Sequence, residues 1–513
     1  VSEGQDITCW DLEAELDATL VANRVMLTRL KVSGFKNLVD VDVSFGPFTC
    51  IAGANGVGKS NLLDAIIFLS ALAEKPLSDA ALSVRDLGAK TGDIRGLFHH
   101  VGDRYADQMT FEAEMIIPAE GEDDLGQSAE ASATFVRYGV SLRYRQDESS
   151  RALGSLELVK EELKHITLRE SEEHLKFSSS RAWRKKFIKN ARRIPNYIST
   201  DDSGPDRHIL VHQDGGGSGT PQKRRAANLP RTVLSAANSA EFRTATLVKR
   251  EMQSWRQLQL EPSALRTPDN FSAPAELESD GAHLPAMLFH LANSPNSGVA
   301  MSVYAEVANR LSELIEDVRA IYVDRDESRQ LLTLYAKSSD GTAYPARSLS
   351  DGTLRFLALS VLSIAPDTGG VICMEEPENG IHPKRIPAMI KLLRDLATDP
   401  QALNPEGRLR QVIINTHSPA VVMQVPDDSL LIASPVAKLA QESSFKALQL
   451  HCLPGTWRIA AGAQSIPKGE LLAYLNPVPN PPPANLNPDR EPRRVADRQD
   501  LIAYQTKLPF ADI

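Results

Sequence analysis

The sequence contains no CxxC pair: its four cysteines, Cys9, Cys50, Cys373 and Cys452, lie far apart. That spacing excludes a zinc ribbon and a disulfide framework, and it fits a reducing compartment. No run of about 18 apolar residues occurs, so nothing reads as a membrane span and no membrane partner is expected. The opening stretch VSEGQDITCWDLEAELDATL is acidic and lacks the basic-then-apolar order of a signal peptide, which points to the cytoplasm. An excess of positive charge is missing too: Lys and Arg number 57 against 66 Asp and Glu, a formal net charge of −9. That balance removes any prior for a nucleic-acid binder, although local basic patches can still meet a phosphate backbone. HxxxH, GxSxG and serine-triad patterns tied to suitable elements are absent, as are internal repeats. The pair His99-His100 reads as polar surface rather than as a metal site.

What is present is an ordinary globular balance, 42% hydrophobic and 24% charged over 513 residues, enough for two or three domains. Residues 1–25 form an acidic preamble in which Leu12, Leu16, Leu20 and Val21 recur at helical spacing. Short β segments follow (LTRLKVS, VDVDVSF, FTCIAG), then a Gly-rich turn and the apolar helix SNLLDAIIFLSALA. The stretch 101–345 begins with strand-like segments and breaks at DGGGSGTPQKRRAA, a composition that predicts a disordered loop. It continues with helical patterns at 241–260 and 284–318 and closes on the strand pair RAIYVDRD and RQLLTLYAKS. Residues 346–435 alternate helix and buried strand, which implies a parallel sheet with helices on its faces. The tail, LNPVPNPPPANLNPDREPRR, is too rich in Pro and Asn to fold alone.

Gly53-Ala54-Asn55-Gly56-Val57-Gly58-Lys59-Ser60 matches G-x-x-x-x-G-K-[ST] between an apolar strand and a helix. Its glycines let consecutive N–H groups turn toward phosphates, and the helix N-terminus adds partial positive charge. Lys59 is placed to reach the β- and γ-phosphates of ATP, and the Ser60 hydroxyl to ligate Mg²⁺. VICMEEPE is a buried strand ending in carboxylates, delivered to the crevice where an α/β sheet binds its ligand. Of adjacent acids there, one can hold the Mg²⁺ shell and the next can deprotonate the attacking water. Residues 411–415 form another apolar strand, ending at Thr416-His417-Ser418. A lone His is commonly structural, but at that strand end His417 is placed to bond a γ-phosphate or the attacking water. Ser350-Asp351-Gly352-Thr353, taken alone, is a helix N-cap.

In order, GANGVGKSN, SLSDGTLRF, ICMEEPENGIHP and INTHSP resemble the ABC-type ATPases of the RecF, SMC and OLD group, specifically the stand-alone AAA-15/AAA-21 ATPases of bacterial defence and toxin–antitoxin operons. LKVSGFKNL is similar to this family's entry strand. The resemblance implies an α/β fold: an ABC-ATPase head split into 26–118 and 318–435, with an inserted α+β and helical arm region at 119–317, flanked by 1–25 and by a C-terminal segment at 436–513. It implies that Gly53, Asn55, Gly56, Gly58, Lys59, Ser60 and Asn61 hold the nucleotide. Glu375 and Ser60 hold Mg²⁺, Glu376 is the catalytic base and His417 the switch. Ser350 and Gly352 form the signature, and residues 379–382 the dimer-contacting loop. Two heads then pack head to tail, with the signature of one closing over ATP held by the other, so ATP promotes association. Two departures stand out. Glu375 replaces the family's usual Asp, and its extra methylene predicts slow turnover. The Q-loop glutamine is not assigned, because residues 87–107 contain none.

Beyond His417 the chain is too short for the Toprim nuclease of some relatives, and its acids do not follow apolar strands, so no nuclease in cis is expected. The basic run at 181–193, RAWRKKFIKNARR, reads either as a solvated helix with one apolar stripe or as a DNA- or RNA-contacting face. The leading expectation is a nucleotide-gated homodimer, or higher assembly, that holds or releases a separately encoded effector or toxin in anti-phage defence. The alternative is a DNA-repair ATPase of the RecF or SMC kind, without the long heptads of a full SMC arm. A third reading is an ATP-bound scaffold with little turnover.

Overall fold

The structure is a computed structural model that describes residues 26–84, 94–146, 154–189, 196–214, 220–238, 242–294, 300–313, 317–365, 370–401, 410–440 and 443–475. Residues up to Ile466 form one compact unit; the short helix Lys468–Leu475 belongs to a second. The expected N-terminal amphipathic helix and the Pro-rich tail lie outside the described residues.

In chain order the first unit opens with β1 (Met26–Ser33), β2 (Val41–Ser44), β3 (Phe48–Ala52) and helix α1 (Lys59–Leu72). Six strands follow: β4 (Gln108–Ile116), β5 (Phe135–Arg145), β6 (Ser155–His165), β7 (Ile198–Asp201), β8 (His208–Val211) and β9 (Gln222–Arg225). Then come α2 (Arg243–Gln253), β10 (Arg256–Leu258), β11 (Asp269–Asn270), α3 (Ala300–Ser312), β12 (Val318–Asp326) and β13 (Leu331–Ser338). The last part holds α4 (Asp351–Ile364), β14 (Gly370–Glu375), α5 (Ile386–Leu396), β15 (Arg410–Thr416), β16 (Leu430–Ala440), β17 (Ser443–Cys452) and β18 (Gln464–Ser465).

Two sheets carry the fold. One is antiparallel, with strand order β9-β8-β7-β6-β5-β4-β1-β2. The other runs β10-β14-β15-β3-β16-β17-β18, and its first five strands are parallel. Parallel strands are buried on both faces and read as continuous apolar runs, as β3 (FTCIA) and β14 (GVICME) do. Helix α1 is apolar nearly all round because both sides are covered. Its Leu62, Ile66, Phe68 and Leu69 share one core with Phe111 of the antiparallel sheet and with Cys373 and Ile413 of the parallel one. Phe68 stacks on Phe35 at 5.8 Å and tilts against Phe111 at 5.5 Å. Truncating it to Ala would cost about 3–5 kcal/mol.

A polar staple joins the two layers. The β1–β4 register shifts between Leu27 and Arg29, and fully buried Gln411 of β15 bonds both backbone groups of Leu27. Its amide also donates to the Gly46 carbonyl at 2.8 Å. Both polar atoms of that buried side chain are thereby paired, and the Leu27 backbone groups beside the bulge are satisfied.

The stretch 119–317, expected as an insertion outside the head, supplies strands to both sheets. Strands β5 to β9 extend the sheet begun by β1 and β2, and β10 pairs with β14 in the parallel core. Strands β4 to β9 pair in chain order, but the pairings that tie them to the head, β4 with β1 and β10 with β14, join distant segments that local pattern cannot reveal. The helical pattern at 241–260 ends at Gln253, where buried Trp255 leads into β10. The pattern at 284–318 resolves into Leu284–Asn293 and α3, with Val318 opening β12. Of the expected loop, 215–219 lies outside the described residues, while Gln222–Arg225 is an edge strand on β8. In the basic run, Arg181–Phe187 is a helix whose Trp183 and Phe187 sit in a core with Met26, Ile116 and Phe135. The apolar-stripe reading accounts for its aromatics; Lys185 and Lys186 remain on the exposed side, and residues 190–193 lie outside the described residues.

Candidate nucleotide site

The site assembles at the C-terminal edge of the parallel sheet, where β3, β14, β15 and β10 end side by side. β3 delivers the phosphate loop. Gly58 sits at φ +106° with the Asn37 amide against it: a Cβ there would meet Asn37 Nδ2 at 2.2 Å, so only glycine fits. Asn37 donates to the Val57 carbonyl at 2.9 Å and accepts from Asn61 Nδ2 at 2.8 Å, bracing the loop from outside. Gly53 donates its N–H to the Thr416 carbonyl at 3.2 Å, whereas Asn55 and Gly56 form the exposed tip. No side chain caps α1, so its first-turn N–H groups are free to meet an anion.

Lys59 is buried, and its ammonium donates to the Gly53 and Ala54 carbonyls at 2.7 and 2.8 Å. Burial lowers its pKa; Glu376, Glu375 and Glu378 oppose that shift. A buried cation facing three acids across a glycine cradle matches the charge of a nucleotide's phosphates with a divalent cation, the fit expected for Mg-ATP. Ser60 lies half-buried with its hydroxyl 3.5 Å from Asn415 Nδ2. Among the described residues no group of three or more His, Cys, Asp or Glu could hold a metal ion alone. Mg²⁺ with phosphate oxygens needs only one or two protein ligands, which Ser60 and Glu375 would supply.

Glu375 ends β14 and accepts a 3.1 Å hydrogen bond from Gln257 of β10. That glutamine is the residue sequence reasoning missed. It enters the sheet 118 positions before its acidic partner, after a long run of other elements, and only an apolar–glutamine alternation in RQLQL marks it. Glu376 follows at φ +45°, a left-handed conformation that costs a non-glycine residue about 1 kcal/mol or more. Asn415 holds it there: its backbone and side-chain oxygens both accept the Glu376 N–H, at 3.0 and 3.2 Å. The Glu376 carboxylate takes hydrogen bonds from Asn379 Nδ2 at 3.0 Å and His417 Nδ1 at 2.6 Å. Burial pushes its pKa up, but the bonds from Asn379 and His417 and the charges of His417 and Lys59 outweigh burial and leave it lowered. An ionised carboxylate so held is suited to accept a proton from water.

Ser350 caps α4, accepting from the Thr353 N–H at 3.3 Å, while Asp351 pairs with Arg266 at 2.5 Å. Gly352 lies against the turn that follows the acids: a Cβ there would come 2.6 Å from the Gly380 carbonyl oxygen. Arg355, one turn later in α4, donates to the Asn379 carbonyl. The signature helix and the loop after the acids therefore form one patch. His99 and His100, outside this site, behave as polar side chains: His99 bonds the Lys36 carbonyl at 2.7 Å and packs on Phe445.

RecF of Anaeromyxobacter sp. (strain Fw109-5), a DNA replication and repair protein, is 46% identical over 79 residues, 15% of this chain and 21% of that protein. The DNA double-strand break repair Rad50 ATPase of Halobacterium salinarum is 42% identical over 82 residues, 15% of this chain and 9% of that protein. The matched part thus spans about a fifth or less of these relatives' length. The Smc head domain with an extended coiled coil, bound to the C-terminal domain of ScpA from Pyrococcus furiosus, gives a TM-score of 0.42 at 12% identity, covering 85% of this chain and 99% of that one. A family model described as "AAA domain, putative AbiEii toxin, Type IV TA system" matches residues 48–423, from the phosphate-loop strand to beyond His417. The chain belongs to that AAA-domain family.

Proposed function

We propose that this chain is a nucleotide-gated homodimer whose ATP hydrolysis controls a separately encoded effector, in anti-phage defence. The observation that carries the gating is the single patch made by Ser350, Gly352 and the loop after Glu376, in which Gly352 backs directly onto Gly380. In this reading the patch of one subunit closes over the phosphates held by Lys59 and Ser60 of its partner. Ser60 and Glu375 would hold a Mg²⁺ ion, which would neutralise phosphate charge when bound, and Gln257 steadies Glu375. Glu376 takes the proton from the attacking water, and His417 holds that carboxylate in place. What suggests a two-component system is the toxin–antitoxin wording of the family's description, which names the family itself as a putative toxin.

A second reading, a DNA-repair ATPase, is favoured by the RecF and Rad50 matches. One experiment separates the two: purification from the host with neighbouring genes intact, followed by native mass spectrometry with and without ATP. A second protein at fixed stoichiometry supports effector control. A bare homo-oligomer whose hydrolysis rises with DNA, and falls back when Arg184, Lys185 and Lys186 are changed to Glu, moves the assignment to repair. Light scattering of Glu376→Gln with ATP tests the gating itself, since a monomer that binds ATP contradicts it.

A further inference from the structure

We propose that Glu378 is a positioning residue for hydrolysis: its carboxyl, bonded to Thr416, locks the turn that carries Glu376 onto the end of β15 and, through Thr416, onto the phosphate loop. The proposal rests on the ATPase reading and adds a residue to its site.

Three consecutive residues at the end of β15 each address the acidic turn. Asn415 takes the Glu376 N–H, Thr416 donates its hydroxyl to Glu378 Oε1, and His417 bonds the Glu376 carboxylate. Thr416 is fully buried and makes two further connections. Its carbonyl accepts the Gly53 N–H at 3.2 Å, and its hydroxyl accepts the Ser418 N–H at 2.9 Å. One threonine therefore touches the phosphate loop through its backbone and the acidic turn through its side chain. Glu378 in turn accepts the Ile381 N–H on its own carbonyl at 2.9 Å, so the same residue begins the dimer loop.

The carboxyl is 8% exposed, and among the described residues its Oε2 has no partner. A buried carboxylate with an orphaned oxygen is costly, so the bond from Thr416 to the other oxygen matters the more. Burial raises its pKa, and the nearby Glu376 charge adds to that while the Thr416 bond opposes it. A primary amide has nearly the same shape as the carboxyl and keeps the Oε1 acceptor that Thr416 bonds. Glutamine should therefore substitute, and alanine should not. Without the latch the strained Glu376 turn loses its tie to Thr416, and the base moves relative to the phosphate loop.

The test is steady-state ATP hydrolysis by the full chain, with melting temperatures and nucleotide binding measured on each variant and Glu376→Gln as control. Glu378→Gln should keep kcat within about threefold, whereas Glu378→Ala should lower it about 30-fold or more with KM for ATP changed less than about threefold. Thr416→Val should reproduce the Glu378→Ala loss, and the double variant should be no worse than either alone, as expected of partners in one contact. Should Glu378→Ala fail to fold, the Thr416→Val and Glu378→Gln results decide. Equal loss in Glu378→Gln and Glu378→Ala, an unchanged kcat in Thr416→Val, or a parallel loss of nucleotide binding overturns the proposal. A wild-type chain that binds ATP without hydrolysing it instead overturns the ATPase reading.

Discussion

His417 Nδ1 lies 2.6 Å from Glu376 Oε1, and the two residues come from the ends of adjacent parallel strands, β15 and β14. Register brings them together: Glu375 pairs with Asn415 across the ladder, which places the following residues of both strands side by side. The carboxylate is thus oriented before any substrate arrives, at the expense of a left-handed backbone at Glu376.

Replacing Glu376 by Gln should lower ATP turnover by about 100-fold or more while leaving nucleotide binding intact. His417→Ala removes an orienting partner rather than the base, so its loss should be smaller, about tenfold, and should appear in kcat. Single-turnover hydrolysis beside equilibrium binding of a fluorescent ATP analogue separates the two effects.

Gly352→Ala should weaken ATP-driven association and lower the melting temperature. The new methyl would sit 2.6 Å from the Gly380 carbonyl oxygen, a backbone atom that cannot move without shifting the dimer loop. Overpacking of this kind costs about 1–3 kcal/mol. Light scattering with and without ATP in the Glu376→Gln background reads the association directly.

Gln257→Ala should raise the Mg²⁺ concentration needed for half-maximal hydrolysis, because Glu375 loses the amide that orients it at 3.1 Å. Loss of an outer-shell partner of a metal ligand typically weakens metal binding about 10–100-fold. Hydrolysis titrated with Mg²⁺ at saturating ATP checks this, and chelation should abolish turnover in both proteins.

Stability should fall as pH rises from about 5 to 8, in part through Glu251. This carboxyl, beside Trp255 Nε1 at the end of α2, is pushed by burial from 4.5 to about 8. The folded state binds the proton more tightly than the unfolded chain does. The stabilisation is therefore fully present below about 4.5 and is lost as pH climbs toward 8. Glu251→Gln should flatten the decline by a few kcal/mol in order of magnitude. Some slope should remain, because buried Glu161 is raised in the same sense to about 7. Urea midpoints at pH 5.5 and 8.5 measure it.

The phosphate loop, the acidic strand and His417 were legible because each is a short local string whose chemistry demands that order. The signature was legible only in company, since Ser350 alone behaves as the N-cap it also is. Gln257 and Gln411 were not legible: each does its work through a partner brought close by sheet pairing across long stretches of chain. The strands of 119–317 read as an insertion because the pairings that join them to the head, β4 with β1 and β10 with β14, are long-range, although five of them complete the antiparallel sheet and one flanks the acidic strand.

β3, which carries the phosphate loop, spans residues 48–52, yet both of its neighbours, β15 and β16, begin only at residues 410 and 430. On a ribosome adding about 5–20 residues per second, that apolar strand waits roughly 20–70 s with both edges unpaired. The candidate ATP site is therefore not complete until β15 and β16 have been made. A nascent chain interrupted before β15 carries the whole phosphate-loop motif and no place to hold it.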